Sequence, residues 1–410
     1  ALVNASGQVE LGRFSELGTP TDSYRSLLYL ERVREGGVNA LKSWSGPAGI
    51  EHYLSGDGNG RLMQSLKSFL SSRSLQTTDV FGRRHTLISL IARILRDLRE
   101  QAENRFGIKI DTAIAGRPVT FVGAENEDDN QYAETRLREA FREAGYESVE
   151  FELEPVAAAR SYESTLDHDQ LILIGDFGGG TSDFSLLRVG PTIRRRGRTV
   201  ADLLGNAGVG LAGDAFDAKI VRHLVAPALG EGSQMRSLGK LLTVPGWVFS
   251  KLERWHYLSL LKARDTMEML RGVQGHALEP EKIKALIHLI KEDLGFRLHR
   301  AVQAVKCDLS YHPAAMFKFL DGVIEIEAEL ERSVFECWIA EELEQIQTCV
   351  DSLLIAAGAR REDVDAVFLT GGSSFVPAVR RIFETRFGSS KLRAGNEFTS
   401  VAHGLALKSR

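Results

Sequence analysis

The stretch DFGGGTSD at 176–183 lies between two short apolar runs, LILI at 171–174 and FSLL at 184–187. An aspartate closing one run, three glycines, a threonine, and an aspartate opening the next run describe a β-hairpin whose turn can wrap a phosphate chain. Glycine reaches φ angles closed to other residues, so the N–H groups of Gly178, Gly179 and Gly180 can converge on an anion with no side chain in the way. Thr181 adds a hydroxyl donor, and Asp176 puts a carboxylate where hydrated magnesium would be held. Glycine triplets also occur in hairpins that bind nothing, so on this stretch alone both readings stand.

A second glycine turn, LTGGSSFVP at 369–377, again follows an apolar strand, AVFL at 366–369. Gly371, Gly372 and Ser373 form the turn. Pro377 suits the first turn of a helix on which Val379, Ile382 and Phe383 make one apolar face. Strand, glycine turn and helix N-terminus together form a corner suited to an anion or a nucleoside. Two such corners suggest one ligand held between two halves of the molecule.

Hydrophobic residues make up 43% of the chain and charged residues 26%, with a formal net charge of -4, a balance that leaves no nucleic-acid footprint. The basic run RRRGR at 194–198 and the acidic ENEDDN at 125–130 read as solvated loops and as evidence for no partner. Cys307, Cys337 and Cys349 are odd in number and lack metal-ligand spacing, which fits a reducing cytoplasm. No run approaches the ~20 apolar residues of a membrane span, and no secretory pattern opens the chain. The expectation is a cytoplasmic protein without membrane or nucleic-acid partners.

At 410 residues the chain exceeds one ordinary core, so two lobes are expected. The first half reads as short strands, a helix at about 86–105, a strand at TAIAGRP, a helix at about 130–144, the strand VEFELE and a helix from Pro155. The second half opens at the DFGGGTSD hairpin and ends with the AVFLTGG corner, separated by a mostly helical insertion at about 216–312. Strands flanked by helices argue an α/β architecture.

EPVAAA at 154–159 and GLAGDAFD at 210–217 complete a set of four motifs with the two glycine corners. Their order resembles the ATPase domain of DnaK-type heat-shock chaperones, of the actin, hexokinase and heat-shock ATPase superfold. HALEPEKIKALIHLI at 276–290 and LGFRLHRAVQAVKCDLS at 294–310 are further similar to the short YegD-like branch. The resemblance implies two actin-like lobes, each with a ribonuclease H-like motif: 1–172 plus 385–410, and 173–384 with the helical insertion. It implies ATP or ADP with magnesium as cofactors, slow hydrolysis of ATP to ADP and phosphate, and lobe closure read by a protein partner or client.

The resemblance also assigns residues. Asp176 is similar to the aspartate that holds magnesium through water, and Lys67, in SLKSFL, to the lysine that reaches the γ-phosphate and the attacking water. Glu154 is similar to the glutamate that orients that water, while Ala157–Ala159 let its helix pack closely against the other lobe. Read without the resemblance, Lys67 is a solvated charge and Glu154 an acid stabilised at a helix N-terminus. Gly213, Gly371, Gly372 and Ser373 fall at the nucleotide corners. QAVKCDLS resembles the family's nucleoside segment, with Lys306 near the ribose, Ser310 near the adenine edge, and Gln303 in place of the usual acid. Phe375 stands where an arginine commonly stacks on adenine; it can stack in turn or belong to the core.

Two departures accompany the match. The first lobe opens at ALVN and Gln8 to Leu11, which resemble the return half of a hairpin; the expectation is that its first strand and D-x-G-T-type loop precede Ala1. After SVAHGLA only a few residues remain, so no peptide-binding β-sandwich is expected. An actin-type filament ATPase, a small-molecule kinase of the superfold and a nucleotide-binding scaffold without turnover stay open as alternatives. EPVAAA, in place of an aspartate base facing a substrate pocket, weighs against the kinase.

Overall fold

The computed structural model describes residues 1–410 except 5, 36–37, 56–59, 164, 238, 255–256, 394–398 and 409–410. The chain forms two compact units. One is Ala1–Asp169 with Arg188–Asp202 and Phe398–Arg410, and the other is Gln170–Leu187 with Leu203–Glu397. The second unit runs on past 385, where the sequence reading sets the return to the first unit, and 188–202 also belong to the first unit. Residues 394–398 and 409–410 of that expected return lie outside the described residues.

In the first unit, Leu27–Glu35 is the middle strand of an antiparallel sheet, between Val38–Ser45 and Gly60–Gln64. Leu27, Leu28, Tyr29 and Leu30 are all buried, as a strand covered on both faces requires. Leu28 and Leu30 share a core with Leu87, Leu90, Ile91 and Ile94. Those four positions lie on one face of the helix Leu87–Phe106. Thr86 starts that helix by accepting the Ser89 N–H at 3.0 Å, and Gly107, at φ 67°, ends it. A parallel pair follows, Thr112–Arg117 with Ser148–Leu153, joined through the helix Glu127–Glu143.

Helix Glu154–Glu163 then packs against Ser400–Lys408, so closely that a Cβ at Gly404 would enter the Ala157 carbonyl. Ala157 thus serves close packing inside the first unit.

The second unit is built on a five-stranded sheet in the order Leu203–Val209, Ser182–Val189, Gln170–Phe177, Ala366–Thr370, Leu392–Arg393. Gln170–Phe177 runs parallel to Ala366–Thr370, which sets Asp176 opposite Thr370. Phe177, Phe184 and Phe383 meet beneath the glycine turn with ring centroids 5.7–6.1 Å apart, and all three are fully buried. Each such ring contributes about 2–3 kcal/mol by burial, so the turn stands on rigid ground. The insertion contains the helices Gly213–Ile220, Arg264–His276, Pro280–Lys291 and Gly295–Tyr311, and also the hairpin Gln234–Ser237 with Lys240–Thr243. A second hairpin follows it, Ala314–Asp321 with Ile324–Glu331.

Both charge runs are more than solvated loops. Arg194–Arg196 end the helix Pro191–Arg196; Arg196 pairs with Asp202, and Arg198 pairs with the buried Glu163 at 2.8 Å. In ENEDDN, Asn126 caps the helix Glu127–Glu143 by accepting the Asp129 N–H at 3.0 Å, and the acids that follow sit in its first turn. Acids there complement the helix dipole, so local structure explains the run.

Candidate functional site

The second unit gathers three glycine corners. Gly178, Gly179 and Gly180 are exposed between Phe177 and Thr181, and Gly178 N–H donates to the Thr181 carbonyl at 2.9 Å. None of the three has a left-handed φ, contrary to the reason the sequence suggests for them. A Cβ at Gly180 would meet only Asp214 Oδ2, at 3.9 Å, and one at Gly179 would sit 3.4 Å from Asp214 Oδ1. Neither backbone shape nor packing demands glycine at 180. What glycine leaves there is open backbone.

The second corner is the start of helix Gly213–Ile220, where Asp214 N–H donates to the Gly179 carbonyl at 2.8 Å and ties the glycine turn to the helix. The third is the turn after Ala366–Thr370. Gly371 holds φ 81°, and a Cβ on it would strike the Phe177 carbonyl, so glycine is obligatory. Ser374 Oγ donates to the Gly371 carbonyl at 2.6 Å, and the buried Ser373 lies close enough to Gly213 that a Cβ there would come within 2.9 Å of its Oγ. Gly372 and the half-buried Phe375 bound the short 3-10 turn that follows.

Around these corners stand the side chains. Thr370 Oγ1 donates to Asp176 Oδ1 at 2.8 Å, and Thr181 Oγ1 donates to Asp183 Oδ2 at 3.0 Å. Lys306, on Gly295–Tyr311, donates to the Gly213 carbonyl at 3.2 Å and lies 2.6 Å from Asp217 Oδ1. The latter contact is a charge pair with poor hydrogen-bond angles, leaving Oδ1 without a well-formed donor. Burial pushes the Asp217 carboxyl upward, and the Lys306 charge pulls against it. Gln303 precedes Lys306 by one turn, and Ser310 follows by one turn with its hydroxyl donating to the Lys306 carbonyl at 3.3 Å.

GLAGDAFD also contains Asp214 and Asp217, to which the motif resemblance assigns no role. Three positions apart, they share a face of helix Gly213–Ile220, and that spacing was the available signal.

The first unit holds the other two candidates. Lys67 lies in the 3-10 turn Leu66–Phe69, entered through Ser65 at φ 57°, and its Nζ donates to Glu154 Oε1 at 2.6 Å. Glu154 opens helix Glu154–Glu163 directly after the strand Ser148–Leu153. The chain just after Lys67 is held by Arg136, whose buried guanidinium donates to the carbonyls of Leu70, Ser72 and Leu75 at 2.8–3.0 Å and to Phe69 at 3.3 Å. Nothing in the sequence near Arg136 announces this clamp.

Chemically, the second unit offers open backbone, hydroxyls and one lysine around a carboxylate, a donor set suited to phosphate with a hard cation. The first unit offers one cation and one carboxylate in contact. The three cysteines are free, and among the described residues no helix is long and apolar enough to cross a membrane.

The family model described as Hsp70 protein matches residues 70–233 and 273–410. It takes in all three glycine corners, Glu154 and the Gln303–Ser310 segment, begins three residues after Lys67, and leaves out 234–272. The matched stretches span well over half of the chain, which belongs to the Hsp70 family: a chaperone-type ATP-binding protein with an α/β fold of the actin-like ATPase type.

Proposed function

We propose that this protein binds ATP and ADP with magnesium and hydrolyses ATP slowly, using nucleotide-dependent lobe closure to signal to a protein partner. The observation that carries the reading is Gly178–Gly180, three successive exposed glycines without a left-handed φ, of which Gly180 is not demanded by packing either, facing the Gly213 and Gly371 corners. Family membership supplies the ligand class. The likeness of 276–290 and 294–310 to the short YegD-like branch is the support for that narrower assignment, and the three free cysteines without metal-ligand spacing support action in the cytoplasm.

The residues fit such a ligand. With the Gly178 N–H held by the Thr181 carbonyl, the backbone N–H groups at 179–180 and Thr181 would hold phosphate oxygens, and Asp176 would hold magnesium through water, Thr370 keeping the carboxylate oriented. Gly213, Gly371, Gly372 and Ser373 leave room for close backbone approach. Gln303, Lys306, Ser310 and Phe375 would contact the nucleoside. Bound magnesium would neutralise phosphate charge and keep the nucleotide in one geometry.

Lys67 and Glu154 are assigned the chemical step. In their present contact each neutralises the other, so Lys67 must turn from Glu154 to bring its charge to the γ-phosphate. The freed carboxylate can then accept a proton from an attacking water and orient it.

Calorimetric titration with ATP and ADP, each with magnesium, tests binding. Gly180→Ala separates ligand from fold: its Cβ meets nothing nearer than Asp214 Oδ2 at 3.9 Å, so the unfolding midpoint stays put while nucleotide affinity falls at least about tenfold through blocked backbone donors. Unchanged affinity in Gly180→Ala would refute the cradle. Lys67→Ala, Glu154→Ala and Thr181→Ala lower turnover more than binding; wild-type turnover in all three would move the chemistry elsewhere, and binding without turnover would leave a scaffold.

A further inference from the structure

The stretch 234–272 that falls outside the family match carries seven lysines and arginines against three aspartates and glutamates, in a chain whose net charge is -4. It opens with the hairpin Gln234–Ser237 and Lys240–Thr243. The first of these strands is flanked on both sides: Met235 bridges Ala277, with Leu278 N–H donating to the Gln234 carbonyl at 2.8 Å, and pairs with Leu242 across the hairpin. Lys240–Thr243 has no second partner strand among the described residues. All four of its residues are exposed, Leu241 at 55% and Leu242 at 47%.

The ladder fixes what this edge presents. Val244 N–H donates to the Ser233 carbonyl at 2.9 Å, so antiparallel alternation makes Met235–Leu242 and Ser237–Lys240 bonded pairs as well. Leu241 and Thr243 therefore turn their N–H and C=O outward. Met235 packs on the core, and Leu242 on the same face hangs beyond it. Arg236 shares the opposite face with Leu241, while Lys240, paired with Ser237 at the turn end of the hairpin, stands on the Leu242 face; neither has an ion-pair partner among the described residues. Trp247, four residues past the strand, is 49% exposed.

An exposed edge with apolar side chains is a template for strand addition, and a single added strand would cover Leu242. We propose that Lys240–Thr243 takes up an extended segment of a partner protein in which apolar residues alternate with aspartate or glutamate. The apolar positions cover the Leu242 face, and the acidic ones, on the Leu241 face, answer Arg236. This site does not depend on the nucleotide reading.

The test uses the full chain and a synthetic ten-residue peptide of alternating valine and glutamate, with proline at each end to stop it pairing with itself. The peptide binds and slows hydrogen exchange at the Leu241 and Thr243 amides. Replacing its glutamates by lysine weakens binding at least about fivefold, and the Arg236→Glu variant reverses that preference. Thr243→Pro removes an outward donor and weakens binding about tenfold or more; N-methylating alternate peptide nitrogens does the same from the ligand side if that variant disturbs the hairpin.

Absence of binding at about 1 mM peptide, equal binding of the glutamate and lysine peptides, or unprotected amides would overturn the proposal. So would dimers in sedimentation that Thr243→Pro abolishes, which would give the edge to a second copy. Binding to phosphatidylserine vesicles without peptide binding would give it to a membrane surface.

Discussion

The glycine corners of the second unit and the Lys67–Glu154 pair of the first are built from opposite materials. The corners are backbone, shaped by side chains that are missing, and the residues within each corner are close in sequence to one another. The pair is two side chains brought to 2.6 Å from 87 positions apart and steadied by Arg136, a third residue remote from Lys67. A site made of backbone declares itself as a short motif; a site made of side chains depends on the whole core that aims them. The same contrast predicts how each will fail.

The largest effect belongs to Gly371. Alanine there must hold φ 81° and push its Cβ into the Phe177 carbonyl, so the turn or the strand beneath it has to move. The expected loss is about 3–5 kcal/mol, read as a lower unfolding midpoint and faster hydrogen exchange across Gln170–Phe177 and Ala366–Thr370. Gly180→Ala, in the same region, leaves both unchanged. If the two variants behave alike, the distinction between a glycine needed by the fold and one left for a ligand collapses.

Arg136 comes next. Arg136→Met keeps much of the aliphatic volume but strands four carbonyls that now receive the guanidinium, and costs about 3 kcal/mol. Exchange should quicken at 67–75 before the rest of the first unit loosens. Uniform loss across the unit, with no local excess, would make Arg136 a core residue with no special hold on the Lys67 turn.

These two cases mark what the sequence could reveal. DFGGGTSD and LTGGSSFVP were legible because missing side chains appear as letters, yet the φ argument for the first motif was not what the structure required. Helix Leu87–Phe106 and the parallel strands were legible from periodicity. The strand Ile324–Glu331, IEIEAELE, alternates as strictly as any in the chain, with Ile324, Ile326 and Leu330 inward. Its four glutamates disfavour a strand by propensity, and the reading passed over it. Arg136 had no local signature, because its partners lie more than sixty positions earlier. The charge runs misled for the same reason: ENEDDN and RRRGR look solvated until Asn126 caps a helix and Arg196 and Arg198 find Asp202 and Glu163.

Asp202 carries a pH signature of that hidden pairing. Its hydrogen bond from Arg196, foremost, holds its carboxyl down at about 2, with further help from Thr199, from an ordinary value of 3.8. A lowered folded pKa stabilises the charged form, so the contribution is complete above about pH 4 and disappears as pH falls through about 2. Asp202→Asn should cost about 2 kcal/mol at neutral pH and flatten the stability profile between pH 4 and 2. An unaltered profile would return RRRGR to the status of a solvated run and shrink the contrast between motif and long-range pairing.

A small stability effect is expected where the proposed chemistry is greatest. Lys67 and Glu154 are 47% and 23% exposed in their side chains, so solvent screens their attraction and the pair is worth under about 1 kcal/mol. Lys67→Met should therefore leave the unfolding midpoint nearly where it was, shifting it less than either Gly371→Ala or Arg136→Met. Under the proposed function the same variant loses a cation that the phosphoryl group needs in the transition state, and turnover falls at least about tenfold with little change in nucleotide affinity. Glu154→Gln preserves the hydrogen bond from Lys67 but cannot take a proton, so it separates the two roles: stability and binding hold, and turnover drops. Should Lys67→Met destabilise the first unit as strongly as Arg136→Met while turnover per folded molecule stays unchanged, the pair is a structural contact. The side-chain half of the comparison would then have to be sought elsewhere in the first unit.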